Sequence, residues 1–129
     1  MEVVRSLPAS DAAPDLAWPA VDLATGNRLP RQLAQDLRAL AGDLLTEVAA
    51  SVVGTIELRV RSEPHAVRLE VRGAAEELEL SQSSPPSPAT EGEEIRPLAR
   101  IDRLADRWGL AHRDGHYSLW AEKFTDRSA

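Results

Sequence analysis

Between Leu33 and Val71 the spacing of the apolar residues changes once, from three and four to two. Leu33, Leu37, Leu40, Leu44, Val48 and Val52 recur at the interval that lines one face of an α-helix, which predicts a helix from Pro30 to about Val52 burying a single stripe. Gly54 ends it, because a residue without Cβ accepts the backbone turn that closes a helix. Ile56, Leu58 and Val60 then alternate with Glu57, Arg59 and Arg61, and Val67, Leu69 and Val71 repeat the pattern after the turn Ser62-Glu63-Pro64-His65. A period of two gathers the apolar side chains of a strand on one face, so two half-buried strands, joined as an antiparallel pair, follow the helix. One apolar stripe and one apolar sheet face are satisfied by packing on each other, which predicts an α+β domain with helices layered on a sheet.

The flanking segments extend this plan. Val3 to Ser6 predicts an opening strand, ended by Leu7-Pro8, with Ser10-Asp11 suited to capping a helix. Asp11 to Ala24 reads as helical through Leu16, Ala20 and Leu23; Pro14 fits a first turn, whereas Pro19 predicts a kink or an end, and Thr25-Gly26-Asn27 a turn. Glu76 to Leu80 suggests a short third strand. From Ser81 to Glu94 the sequence SQSSPPSPATEGEE has no large apolar residue and cannot enter a core, which makes 81–96 a lid-like loop. Pro97 opens a second strong helix with Leu98, Ile101, Leu104, Ala105 and Trp108 on its buried side, closed by Gly109. Arg113-Asp114-Gly115-His116 is a turn, Tyr117, Leu119 and Ala121 alternate in a last strand ending near Phe124, and Thr125 to Ala129 should fray. The order β, α, α, β, β, loop, α, β predicts a mixed or antiparallel sheet with helices on one face, within a single domain spanning residues 1–129.

Several function classes recede on composition. Without cysteine the chain has no disulfide framework, thiolate metal site or thiol nucleophile, which agrees with a reducing, cytoplasmic setting. No stretch reaches the about 18 apolar residues of a membrane span, and the amino terminus lacks a basic start followed by an apolar run. A formal charge of −6 argues against direct nucleic-acid binding. Arg59, Arg61, Arg68 and Arg72 are interleaved with Glu57, Glu63 and Glu70, as on a solvated sheet face. His65, His112 and His116 lack the helical i,i+4 spacing of a zinc pair, so no metal site is expected from them. Ser81, Ser83, Ser84 and Ser87 have no neighbouring His to activate them; Ser84-Pro85 and Ser87-Pro88 admit phosphorylation as a regulatory reading. Trp18, Trp108 and Trp120 are read as core or rim packing.

Two segments together resemble a known family. Arg103-Leu-Ala-Asp-Arg-Trp-Gly109, a short turn, and Ser118-Leu-Trp-Ala-Glu122 are similar to the carboxyl-terminal signature of small GHKL (histidine-kinase-like) ATPases common in actinobacteria, related to anti-sigma-factor serine kinases. Upstream, Asp43-Leu-Leu-Thr-Glu-Val-Ala49 lies where that family's long helix carries Glu-Leu-Val-Thr-Asn-Ala, with the two alternating strands directly after it. The resemblance covers about Leu29 to Glu122. It implies a two-layer α/β sandwich of the Bergerat type, with a nucleotide pocket beside the helices and a lid at 81–96.

Carried over position by position, the resemblance places the Mg²⁺-ligating Asn on Glu47 and the catalytic or water-positioning Glu on Asp43. The adenine-reading Asp falls on Gly73, and the Gly-Arg-Gly phosphate turn on Ile95-Arg96-Pro97. Glycine offers adenine no acceptor, and Glu76 and Glu77 stand beyond the strand end. Proline removes a backbone N–H where phosphate would approach, leaving Arg96 and a helix amino terminus as a generic anion site. Asp43 and Glu47 form an i,i+4 acidic pair, read either as solvated helix acids facing an open groove or as a residual metal site. The expectation is a non-catalytic regulator that binds a protein partner, such as a sigma factor, an anti-sigma antagonist or another regulator, through the segment Ala12 to Leu40. No cofactor is then needed. The alternative is an ATP- and Mg²⁺-dependent protein serine kinase using Asp43 and Glu47, and a third is a dimerisation module; family relatives often pair as homodimers.

Overall fold

A computed structural model describes residues 2–8, 13–26, 29–49, 54–74 and 97–125. The elements follow as β1 (Glu2–Pro8), α1 (Ala13–Thr25), α2 (Arg31–Ala49), β2 (Thr55–Ser62), β3 (Ala66–Ala74), α3 (Pro97–Leu104), β4 (Arg107–Arg113) and β5 (His116–Phe124). The five strands form one sheet in the order β1-β2-β3-β5-β4, and every neighbouring pair is antiparallel. The fold is therefore α+β, and of the two sheet types expected the antiparallel one is found.

Register explains the layering. Val3, Val60, Leu69, Ala121 and Trp108 stand opposite one another in turn across all five strands, and Leu58, Val71, Leu119 and Leu110 form the next such row. Directly paired residues share a face, so these rows make one apolar surface. The three helices cover it: α1 packs on β1 and β2, α2 on β3 and β5, and α3 on α2 and β4. Leu37, Leu40, Leu44, Leu45 and Val48 of α2 are fully buried at the centre of the resulting core. Among the described residues no helix is long and apolar enough to cross a membrane.

The other sheet face carries the charges that alternate with the core residues. Arg61 pairs with Glu2 at 2.9 Å, Arg68 with Glu122 at 2.8 Å and Arg72 with Glu70 at 2.8 Å. The arginines of β2 and β3 thus belong to a charged lattice, as their interleaving with glutamates indicates, and such partly exposed pairs add roughly 0–1 kcal/mol each.

Three local expectations need correction. Pro19 neither kinks nor ends α1, which runs through it to Thr25; Pro19 is exposed, so the hydrogen bond it withholds leaves a carbonyl facing solvent. The core face of that helix consists of Ala17, Ala20, Val21 and Ala24, while Leu16 and Leu23 are 46% and 52% exposed. Finally, Trp108 and Gly109 are not the end of a helix. α3 stops at Leu104, and both residues lie in β4, a strand that the sequence reading lacks. Asp114 and Gly115 have φ of 54° and 75°, the left-handed pair that lets a two-residue hairpin follow the twist of its strands. That turn joins β4 to β5. The expected strand at 76–80, the lid-like loop at 81–96, the helix end at 50–52, the Ser10-Asp11 cap and the terminus at 126–129 lie outside the described residues.

Candidate functional site

α2 brings Asp43 and Glu47 to the same side, one turn apart, and both are buried, at 7% and 5% exposure. They are not solvated acids. The apolar stripe that fixes the rotation of α2 also carries these two positions inward, toward the helix layer shared with α3. There the Arg100 Nε lies 3.4 Å from Asp43 Oδ2, close enough for an ion pair, although that oxygen accepts no hydrogen bond from a described residue. Burial holds the Asp43 carboxyl above its ordinary range; Arg100 opposes the shift and Glu47 adds to it. The cation beside Asp43 is thus the chain's own guanidinium. Among the described residues no group of three or more metal-binding side chains comes together.

Gly73 occupies the penultimate position of β3, and β5 sets Tyr117 directly opposite it. Tyr117 is 3% exposed. A Cβ built on Gly73 would lie 2.9 Å from the Tyr117 Oη and 3.0 Å from its Cε1. The ring therefore stands against the glycine, in the space that a side chain at position 73 would enter. An adenine-reading carboxylate fits neither the residue present nor the room left to it. Pro97 is the first residue of α3, and Arg96 lies outside the described residues. The structure thus sets Arg100 against Asp43, one helical turn from Glu47, and Tyr117 against Gly73, while positions 95 and 96 of the expected phosphate turn lie outside the described residues.

The carboxyl-terminal signature is accounted for by packing. Asp102 of α3 accepts a hydrogen bond from the Trp108 indole at 2.9 Å, holding it partly buried on the core. Lys123 Nζ donates to the Leu104 carbonyl at 2.7 Å, which satisfies an otherwise free acceptor at the end of α3. The Asp106 carboxylate accepts from the Phe124 amide at 2.7 Å. Trp120 lies over Gly109, where a Cβ would come within 2.8 Å of its ring, and the Arg68 guanidinium stacks on it at 4.3 Å from the centroid. Trp18 sits at the rim of the helix layer, 5.9 Å from an Arg38 guanidinium that is also paired with Asp22.

An open concavity of about 1100 Å³ lies at one end of the sheet, lined among others by Ser6, Glu57, Arg72, Ser118 and His116. These five lie on the charged face of the sheet, Gly73 and Tyr117 also line the hollow, and the acids of α2 do not. His65, His112 and His116 are exposed. Sequence reasoning missed Arg100 and Tyr117. Tyr117 was legible only as a strand residue, and its meeting with Gly73 depends on the register between strands more than forty residues apart. No protein-family model matches the chain, and no curated protein matches it at a significant level.

Proposed function

We propose that this chain is a non-catalytic regulatory protein of the histidine-kinase-like ATPase fold, a Bergerat-type two-layer sandwich, that works by binding another protein. The observation that carries the reading is the Tyr117 ring against Gly73: the position that should read adenine has no acceptor, and the neighbouring strand fills its space. The ion pair from Arg100 to Asp43 supports it, because the helix acid that would serve catalysis is engaged by the chain's own cation. The partner would be a cytoplasmic regulator, such as a sigma factor or an anti-sigma antagonist. Among the described residues of the segment Ala12 to Leu40, Leu16, Trp18 and Leu23 are the large apolar side chains exposed for contact, all on α1.

Calorimetry of ATP and ADP with the purified chain, with and without Mg²⁺, tests this. No binding at millimolar nucleotide is expected. Mg²⁺-dependent binding in the micromolar range would instead favour an ATP-dependent protein serine kinase with Asp43 as its acid or base. Gly73→Asp alone would not restore an adenine site, since its Cβ meets the Tyr117 ring; the restoring variant must also shorten Tyr117.

A further inference from the structure

The sheet ends in two edge strands, β1 and β4, and the outer main-chain N–H and C=O groups of each are paired by no described strand. The two edges are built differently. β1 carries a charge in its middle on the helix-covered side: Arg5 stands opposite Leu58, and its guanidinium donates to the Val4 carbonyl at 2.9 Å. Pro8 closes that strand. An inward charge, an occupied acceptor and a proline are features that keep another strand from adding to an edge. The centre of β4 has none of them. Gly109, Leu110 and Ala111 are uncharged and include no proline. Leu110, opposite Leu119 on the helix-covered face, is 40% exposed at the margin of the sheet.

Charge decides which kind of strand this edge accepts. Arg107 stands opposite Glu122, but that carboxylate is held by Arg68 at 2.8 Å. Arg107 is exposed and meets no acid among the described residues, and the same is true of Arg103 in the last turn of α3. β4 contains no acid of its own. In a chain of formal charge −6, this margin is a basic strip beside an unguarded edge. A second copy fits it poorly, since two β4 strands paired about Leu110 would set Arg107 of each opposite Arg113 of the other, like charge against like.

We propose that the outer edge of β4 is a strand-addition site for an extended acidic segment of a partner protein. Continuing the antiparallel order of the sheet, the added strand places an apolar residue opposite Leu110 and, three residues later, an acid opposite Arg107. The first covers the exposed leucine on the helix side, and the second supplies Arg107 with the acid it lacks on the charged side. This surface is separate from α1. It rests on the edge and its charges, whether or not the chain binds nucleotide.

The test titrates the full chain with the capped peptide Thr-Thr-Val-Thr-Val-Glu-Thr, whose first valine is to face Leu110 and whose glutamate is to face Arg107. Calorimetry and amide chemical shifts are the readouts. Binding with shifts concentrated in β4 is expected. It should weaken about fivefold or more when the peptide glutamate is replaced by lysine, and Arg107→Glu should restore binding of that lysine peptide. Main-chain pairing has its own signature, because only alternate amides of an added antiparallel strand face its neighbour. N-methylation of every second peptide residue should therefore abolish binding in one phase and spare it in the other. Leu110→Lys gives β4 the inward charge that β1 already carries, and it should abolish binding while the chain stays folded by thermal melting. No binding at millimolar peptide overturns the proposal. So does binding that survives both N-methylated phases or Leu110→Lys, and so do shifts centred on Leu16, Trp18 and Leu23 of α1. A concentration-dependent dimer that Leu110→Lys disperses would assign the edge to a second copy and overturn the acidic partner. Failure of the regulatory reading looks different, because it appears as Mg²⁺-dependent ATP binding by the wild-type chain whatever the peptide does.

Discussion

A Cβ at position 73 would stand 2.9 Å from the Tyr117 hydroxyl, and one at position 109 would stand 2.8 Å from the Trp120 ring. Each glycine is the floor under an aromatic ring of β5, and the two rings lie on opposite faces, Tyr117 toward the helices and Trp120 toward the charged lattice. The consequences of substitution differ accordingly. Gly73→Ala forces a buried ring to move within a packed core and should cost roughly 1–3 kcal/mol in denaturant unfolding. Combined with Tyr117→Ala, the added cost of Gly73→Ala should nearly vanish; the resulting coupling of about 1 kcal/mol or more is the measurable sign that the two residues are in contact. Gly109→Ala pushes Trp120 outward, where the ring has solvent to move into. It should destabilise by no more than about 1 kcal/mol, while the indole loses its stacking on Arg68 and its fluorescence shifts to the red. Neither aromatic–glycine pair is visible in a single sequence, since nothing local relates residue 73 to residue 117.

At the scale of elements, the legible parts were those whose period runs long enough to exclude the alternative. α2, with its apolar residues spaced from Leu33 to Val48, and the β2–β3 pair, with two clean alternations, stand where the pattern places them. The failure lies between Leu104 and Gly109. Trp108 is four residues beyond Leu104 and continues a helical stripe, yet it is also two before Leu110 and four before His112 and so begins an alternation. Over so few residues both periods fit. The tie is broken by partners far along the chain: Lys123 closes the end of α3 and Asp106 anchors the end of β5. The Asp-Gly turn was the better local clue, because a left-handed pair at Asp114-Gly115 calls for a strand on each side of it. Gly115→Val, a β-branched residue at φ 75°, should therefore cost about 1–2 kcal/mol or more and weaken β4 first. Hydrogen exchange of the β4 amides should rise before that of β2 and β3. Equal acceleration across the sheet would show that β4 is an integral part of one cooperative unit.

For the whole molecule, the decisive quantity is how stability depends on pH, because the two buried acids of α2 bear on the candidate site and on global folding alike. Asp43 titrates higher in the folded chain than its ordinary 3.8, and burial is the largest cause, ahead of the opposing Arg100 and the reinforcing Glu47. With the folded-state pKa raised, the native chain holds its proton at pH values where the unfolded chain has lost it. Stability must then fall as pH rises through the window that opens near 3.8 and closes at the raised value, and above that window the full penalty of the buried charge is present. The Arg100 contact reduces this penalty without cancelling it. Asp43→Asn keeps the shape and removes the charge, so it should raise the melting temperature at pH 7, and its advantage should shrink toward zero below about pH 4, where both forms are neutral. Arg100→Met should do the reverse, lowering stability at pH 7 and widening the window, because Asp43 then ionises against burial alone. If Asp43→Asn proved less stable than wild type at pH 7 while Arg100→Met remained destabilising, the acid–guanidinium contact would outweigh the burial of its charge, and α2 and α3 would be held together by that pair.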